Sequence, residues 1–332
     1  MPTSFAGAKG RKCFLRKLKK IPMIIDSHQH VFWHGRDDAG LIADMDAHGI
    51  ELAWLLTWEI PASVEYDSRP FLRVLNPERL RSDGSHPGIP LADLLRAKRH
   101  YPERFVLGYC PNPAAPGAPE LFEAACEMHG VQVCGEWKFR MPIDSPPSLE
   151  LFRTAGRRKA PVVLHLDVPY LPPRGGAYCH QWYGGTVENL ERALTACPET
   201  LFIGHAPGFW REISADADLA EAPYPGGPVT RGGRLECLFD RYPNLYADLS
   251  AGSALRALQR DSGYAKEFLE RFKDRLLFGR DIYGGELQAF LGTLALSQET
   301  RDAIFHANAT RLLAGSVRKP RQEQHRGTTP AP

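Results

Sequence analysis

The sequence predicts an α/β fold, an eight-stranded parallel (β/α)8 TIM barrel, and three observations carry that prediction. Short aliphatic runs alternate with amphipathic stretches through the middle of the 332-residue chain, the pattern of βαβ units around a parallel sheet. Residues 23–315 suit one such barrel, which takes about 250 residues, better than two ordinary domains. Five of the aliphatic runs end in His, Asp or Glu, and polar groups at the carboxyl ends of several strands mark the active-site face of this architecture.

The first expected strand, residues 23–27, runs straight into Ser27-His28-Gln29-His30. Successive side chains on a strand point to opposite faces, so His28 and His30 share one. Residues 52–57 form the second strand. The amphipathic stretch Leu91–Arg99 and the turn Pro102-Glu103 precede the third, at 104–109. After a helical stretch Pro119–His129 closed by His129-Gly130, the fourth strand, 131–138, carries Glu136 and Lys138 at matching parity. The stretch Ser148–Arg158 leads to the fifth strand, 161–165, ending in His165, and Thr186–Cys197 leads to the sixth, 200–204, followed by His205. The seventh, 244–249, holds Asp248 after the turn Pro243-Asn244. Tyr264–Arg271 then precedes the eighth, 275–280, with Asp281 next. Strands buried on both faces read as near-continuous aliphatic runs of this kind.

Two connections exceed ordinary strand–helix loops. Residues 167–185, after strand five, hold Tyr170, Tyr178, His180, Trp182 and Tyr183 among several Pro and Gly. Residues 206–233, after strand six, hold Phe209, Trp210, Arg211 and Tyr224. Long loops in a compact domain are functional or disordered, and the aromatics favour walls or lids of a pocket. Lys138, Trp182, Tyr183, Trp210 and Arg211 are therefore candidate substrate contacts, and His180 has an even claim to line the pocket. For Arg140, Arg174, Arg231 and Arg234 a solvated side chain is the default, as an unpaired loop thiol is for Cys179.

Hydrophobic residues make up 43% and charged ones 24% of the chain, as in ordinary globular proteins. No run of about 18 apolar residues occurs, so no membrane span is expected. A formal net charge of +2 without a basic stripe gives no case for nucleic acid. The seven cysteines are scattered and never paired as CxxC, which favours reduced thiols and a cytoplasmic protein over a disulfide framework. Residues 1–22 contain seven Lys or Arg and no acid. Lacking an apolar centre they are no signal peptide, and a disordered or spurious extension is expected, with Met23 as a candidate natural start. The tail 316–332 also reads as disordered. A homodimer is the default for a soluble enzyme.

The strand ends supply imidazole and carboxylate. Such groups bind divalent zinc, manganese or iron, and a catalytic site keeps an open position where a structural zinc site is closed and often cysteine-rich. A bound ion lowers the pKa of a water to about 7 and polarises a carbonyl. His28, His30, His165, His205, Glu136 and Asp281 form the candidate metal set. Asp26 is expected to hold an imidazole N–H from behind, and Asp248 is read as structural or functional with equal weight. His34, His48, His86, His100, His129, His306 and His325 converge on nothing.

Taken in order, DSHQH, GEWKF, LHLD, GHAPG and FGRD resemble the amidohydrolase superfamily, and more narrowly its amidohydrolase-related group, amidohydrolase family 2. The segment Ile304–Leu313 resembles that family's closing NA-x-R-L helix. The resemblance covers residues 23–315, and its specificity lies in the set rather than in any one motif. It implies that His28 and His30 ligate a first metal and that His165 is the strand-five ligand. Asp281 would touch the metal or its water and take the proton when water attacks. His205 resembles the strand-six histidine, a second-metal ligand in binuclear members and an acid/base group in mononuclear ones. Glu136 resembles the bridging carboxylate of binuclear relatives, as in TatD-like hydrolases. Lys138 is read as pairing with Glu136 or with a substrate carboxylate. One divalent ion is expected, zinc ahead of manganese or iron, with two as the alternative.

The leading reading is a metal-dependent hydrolase in which a metal-activated water attacks an amide, ester or lactone carbonyl of a small molecule and Asp281 accepts the proton. The alternative within the resemblance is a metal-dependent non-oxidative decarboxylase of an aromatic or unsaturated acid, with His205 protonating the carbon, since the family includes aminocarboxymuconate-semialdehyde decarboxylase. Lower stands a metal-free glycosidase using Glu136 and Asp281, which leaves His28, His30, His165 and His205 without a task. A non-catalytic binding barrel stands beside it.

Overall fold

Eight parallel strands follow one another in sequence order: β1 (Ile25–Gln29), β2 (Leu52–Leu56), β3 (Phe105–Gly108), β4 (Cys134–Trp137), β5 (Val162–His165), β6 (Phe202–His205), β7 (Leu245–Asp248) and β8 (Leu276–Leu277). They are seen in a computed structural model that describes residues 23–61, 71–169 and 182–316. The expectations for residues 1–22 and 317–332, and for Tyr170, Arg174, Tyr178, Cys179 and His180, lie outside the described residues. Strands β1 to β3 form one sheet and β4 to β8 another. Hydrogen bonds join their edges on both sides. Tyr109 N–H donates to the Val133 carbonyl at 3.0 Å between β3 and β4, and Ser27 N–H donates to the Phe278 carbonyl at 2.9 Å between β8 and β1. No helix among the described residues is long and apolar enough to cross a membrane.

The helices Leu91–His100, Ala118–His129, Pro146–Arg157, Val187–Ala196 and Ser262–Arg271 occupy the amphipathic stretches. Asp38–Ala47 lies outside the predicted pattern, because it buries Asp38 and Asp44 beside Leu41 and Met45 and so shows no clean apolar stripe. Local groups set several ends. Val187–Ala196 opens with a capping box, Thr186 N–H donating to Asn189 Oδ1 at 2.8 Å. Ala118–His129 stops at Gly130, φ 67°, whose N–H returns to the Ala125 carbonyl. Asn308 Nδ2 donates to the Lys273 and Leu276 carbonyls at 2.6 and 2.7 Å, which anchors the closing helix Asn308–Ser316 under β8.

Inside the ring of strands, Ile25, Trp54, Leu56, Val106, Val133, Val163, Ile203 and Leu277 pack together, closed from below by Ala309, Leu312 and Leu313. Strand alternation carries this inward face up to the site. Val163 is followed by His165, Ile203 by His205 and Tyr246 by Asp248. β1 and β4 break the alternation. Their pairing registers shift between Asp26 and Gln29 and between Cys134 and Trp137, with one more residue on each than on its neighbour. A bulge of this kind re-aims the side chains beyond it. It moves the inward face from Ile25 to His28 and His30, and from Val133 to Glu136 and Lys138.

Candidate metal centre

The strand ends bring His28, His30, Glu136, His165, His205, Asp248 and Asp281 to one place. His28 and His205 have ring centroids 4.3 Å apart, His165 lies 5.2 Å from His205, and His30 lies 5.3 Å from His28. One fully buried carboxylate organises the pair: Asp248 accepts from His28 Nδ1 at 2.9 Å and from His205 Nδ1 at 3.0 Å. Ser250 steadies that carboxylate with its N–H at 3.1 Å and its hydroxyl at 2.5 Å. His30 Nδ1 donates to the Leu56 carbonyl at 2.8 Å. These acceptors keep a ring proton on Nδ1, so Nε2 of His28, His30 and His205 faces inward, free to ligate once it carries no proton.

Two carboxylates meet those nitrogens. Asp281 lies 3.4 Å from His30 Nε2 and 3.8 Å from both His28 Nε2 and His205 Nε2. Glu136 lies 3.6 Å from His30 Nε2, 3.8 Å from His205 Nε2 and 4.0 Å from His28 Nε2. His28 Nε2 is buried with no hydrogen-bond partner, which is costly unless something binds it. A divalent cation taking imidazole nitrogen and carboxylate oxygen is the partner this donor set suits. Two overlapping triads, His28–His30–Asp281 and His28–Glu136–His205, each keep their ligand atoms within 4.8 Å of one another.

The backbone holds these ends tightly. Asp281 sits in the left-handed region at φ 58°, uncommon for a non-glycine residue. Its N–H donates to the His28 carbonyl at 2.8 Å, and Trp33 Nε1 donates to its carbonyl at 2.8 Å. One step before His205, a Cβ on Gly204 would lie 2.1 Å from the Phe209 ring, so only glycine lets that ring close behind the histidine.

Charge in the cluster is arranged between the inward-facing imidazoles and the carboxylates. Burial acts against ionising Asp248, yet His205 and His28 hold its carboxyl well below the usual range. Asp281 is treated likewise by His30, His28 and His205. Burial also opposes an ionised Glu136, and Lys138 and His165 outweigh it, keeping that carboxyl low. Burial disfavours a charged His30, but Asp281 and Glu136 push its pKa up to about 9. The ionised carboxylates call for positive charge at the centre, which imidazole protons supply in part and a metal ion would supply outright.

Several expectations change. Asp26 does not hold an imidazole. It accepts from His28 N–H at 3.2 Å, Gln29 Nε2 at 3.0 Å and Arg280 Nε at 2.7 Å, and the buried Arg280 links it to Asp44 at 2.7 Å. Asp248 takes the imidazoles instead. His165 stands outside both triads, its Nδ1 on Glu136 at 2.6 Å and its Nε2 facing Asp167 at 3.3 Å. It would have to release a carboxylate before it could ligate. Lys138 sets its ammonium over Trp58, 4.1 Å from the ring centroid, with Tyr183 at 5.5 Å, and acts on Glu136 through its charge. Tyr183 borders the centre, 5.6 Å from His165, and Trp182 is half-buried.

Trp210 and Arg211 face the protein rather than a substrate. Trp210 is fully buried and donates from Nε1 to the Asp248 carbonyl at 3.0 Å. Arg211 is buried, and its guanidinium donates to the Ala217 and Ala220 carbonyls. Arg231 pairs with Glu267, and Arg234 with Glu212, Glu188 and Asp218. Among the histidines set aside, His48 bonds the Asp44 carbonyl, His86 the Asn76 carbonyl and His100 the Asp38 carboxylate. The role of Asp248 went unassigned in the sequence, although Leu245-Tyr246-Ala247-Asp248 is itself an apolar run ending in a carboxylate. Trp58 and Ser250 carried no comparable signal.

No protein-family model matches the chain, and no curated protein does. Solved structures do. An uncharacterised TIM-barrel protein, Bb4693 from Bordetella bronchiseptica, matches with a TM-score of 0.58 at 17% identity, over 89% of this chain and 99% of that one. The 5-carboxyvanillate decarboxylase LigW from Sphingomonas paucimobilis matches with a TM-score of 0.56 at 15% identity, over 88% and 99%. A dihydroxybenzoic acid decarboxylase from Polaromonas sp. JS666, with bound manganese and the inhibitor 2-nitroresorcinol, gives 0.54 at 18% identity, over 89% and 97%. The likeness is one of fold, the TIM barrel named for the first of them.

Proposed function

We propose that this chain is a metal-dependent enzyme of the amidohydrolase superfamily on a closed (β/α)8 barrel, hydrolysing an amide, ester or lactone bond of a small molecule. The observation that carries the reading is the buried, unpartnered Nε2 of His28 facing ionised Asp281 and Glu136. His28, His30 and Asp281 would hold one divalent ion, with zinc preferred, and Glu136 and His205 would complete the site or serve a second. When bound, such an ion polarises a carbonyl and lowers the pKa of a water to about 7.

The chain's own groups do the rest. Asp281 is ionised at neutral pH and accepts the proton of the attacking water. His205, aligned by Asp248 and Ser250, presents Nε2 to the substrate and moves a proton to or from the reacting group. Glu136, held by His165 at 2.6 Å, fixes the inner wall. Non-oxidative decarboxylation is the second reading, favoured by decarboxylases among the matched structures. There His205 would deliver the proton to the carbon that loses carbon dioxide.

The test is metal content by elemental analysis of protein purified without added metal or chelator, on wild type and His30→Ala. About one equivalent in the wild type, falling in the variant, is expected. A wild type that holds no metal, and takes up none when it is added back, overturns both readings. Carbon dioxide release from an aromatic acid, with esters and lactones untouched, would select the decarboxylase.

A further inference from the structure

The strand that leads to Asp281 is the shortest of the eight. β8 ends at Leu277, so Asp281 lies beyond its paired residues, and something other than the sheet must hold it against His28. We propose that Asp26 and Arg280 do so. They form a buried ion-pair clasp across the seam between β1 and β8, and they act as positioning residues that set the distance between His28 and Asp281. The inference rests on reading those two residues as metal ligands, and it gives a task to side chains that the proposed chemistry does not use.

Each oxygen of the fully buried Asp26 serves both sides of the seam. Oδ1 accepts from His28 N–H at 3.2 Å on β1 and from Arg280 N–H at 3.0 Å beyond β8. Oδ2 accepts from Gln29 Nε2 at 3.0 Å and from Arg280 Nε at 2.7 Å. The clasp therefore grips one ligand directly and the immediate neighbour of the other. Arg280, 4% exposed, also donates from Nη1 to Asp44 at 2.7 Å and to the Gly284 carbonyl at 3.0 Å. Arg36 donates to the other Asp44 oxygen at 2.9 Å, so two carboxylates answer two guanidiniums. Gly279 lets the two sides close, since a Cβ there would lie 3.2 Å from His28 Cβ and 3.1 Å from Ser27 Oγ.

Stability alone does not account for this network. Burying ion pairs costs desolvation that their attraction often does no more than offset, and well-packed apolar side chains of similar volume do as well or better. What the charges add is direction. Arg280 Nε fixes the rotation of the Asp26 carboxylate, and Oδ1 then sets where the N–H groups of His28 and Arg280 sit. The next peptide continues the same register, Asp281 N–H donating to the His28 carbonyl at 2.8 Å. Groups that orient ligands from behind in this way tune how tightly a metal is held. Trp33 Nε1 donates to the Asp281 carbonyl at 2.8 Å, so that indole reports where Asp281 lies.

The experiment uses the full chain and compares wild type, Asp26→Asn, Arg280→Met and Arg280→Lys, with Leu312→Ala in the lower layer as a control for lost stability. Zinc affinity is read by competition with a chelator. The Trp33 indole N–H resonance, assigned with Trp33→Phe, is recorded on metal-free protein. Asp26→Asn and Arg280→Met should lower zinc affinity by about 10–100-fold and shift the indole resonance. Arg280→Lys should keep part of both, and Leu312→Ala should change neither. If Arg280→Met does not fold, Arg280→Gln serves in its place. Wild-type zinc affinity in the folded Arg280 variant, or an unmoved indole resonance, overturns the clasp. An equal loss of affinity in Leu312→Ala overturns it too, because stability alone would then explain the effect. If wild type binds no zinc, the indole decides. A shift in both the Asp26 and Arg280 variants upholds the clasp and removes only the metal reading, and no shift overturns the clasp.

Discussion

The two halves of the barrel interior handle burial in opposite ways. Below, Ile25, Val106, Val163, Ile203 and Leu277 close on Leu312 and Leu313, and any single contact is one of many weak ones. Above, the polar groups meet in a few bonds of fixed geometry, Asp248 accepting from His28, His205 and Ser250, while His28 Nε2 is buried without a hydrogen-bond partner. The lower half gains stability from bulk and tolerates exchange of one aliphatic side chain for another. The upper half gains a preorganised site and cannot lose a single partner without orphaning another. Stability and metal binding should therefore separate by layer along the same strands.

Four substitutions test that separation. The largest effect is expected from His28→Ala, which removes the atom shared by both triads: metal uptake should fall to background while the circular dichroism spectrum stays native. Retention of a full equivalent would mean the centre lies elsewhere. Next comes Leu277→Ala in the lower layer, expected to cost about 2–5 kcal/mol in urea unfolding and to leave the metal stoichiometry of the folded protein unchanged. Loss of metal from the folded variant would break the comparison.

Asp248→Asn sharpens it. Asp248 gives one oxygen to each imidazole, and asparagine puts an NH₂ donor in place of one of them, so His28 or His205 loses its acceptor. Metal affinity, read by competition with a chelator, should drop by about 10–100-fold with little change in unfolding free energy. The smallest effect belongs to Glu59, which lines a cavity with Trp58 and Lys138. Its carboxyl is raised from 4.5 to about 7 by burial, so the folded state binds the proton more tightly than the unfolded one. That contribution is fully present below pH 4.5 and is lost as the pH rises through about 7. It amounts to the order of 2 kcal/mol after allowing for partial exposure. Glu59→Gln should flatten the pH dependence of stability in that window, and identical slopes in the two proteins would refute the assignment.

Much of this was legible in the sequence because it rests on local periodicity. Aliphatic runs mark strands wherever they sit, amphipathic stretches mark helices, and a histidine or carboxylate at a run's end is at the mouth whatever its neighbours do. By itself, then, the sequence determined the parallel order and the set of residues that meet at the strand ends. Partnership was decided only in three dimensions. The bulges in β1 and β4 set which parity of each strand faces inward, and a pattern of alternating residues does not show where one extra residue falls. Asp26, two residues from His28, was the natural candidate to hold it, yet Asp248, 220 positions away, does so. Arg280 claims Asp26 instead. Trp210 turned inward and Lys138 turned onto Trp58 for the same reason. A hydrogen bond or ring contact depends on direction within a few tenths of an ångström and a few tens of degrees, and only the closed fold supplies that.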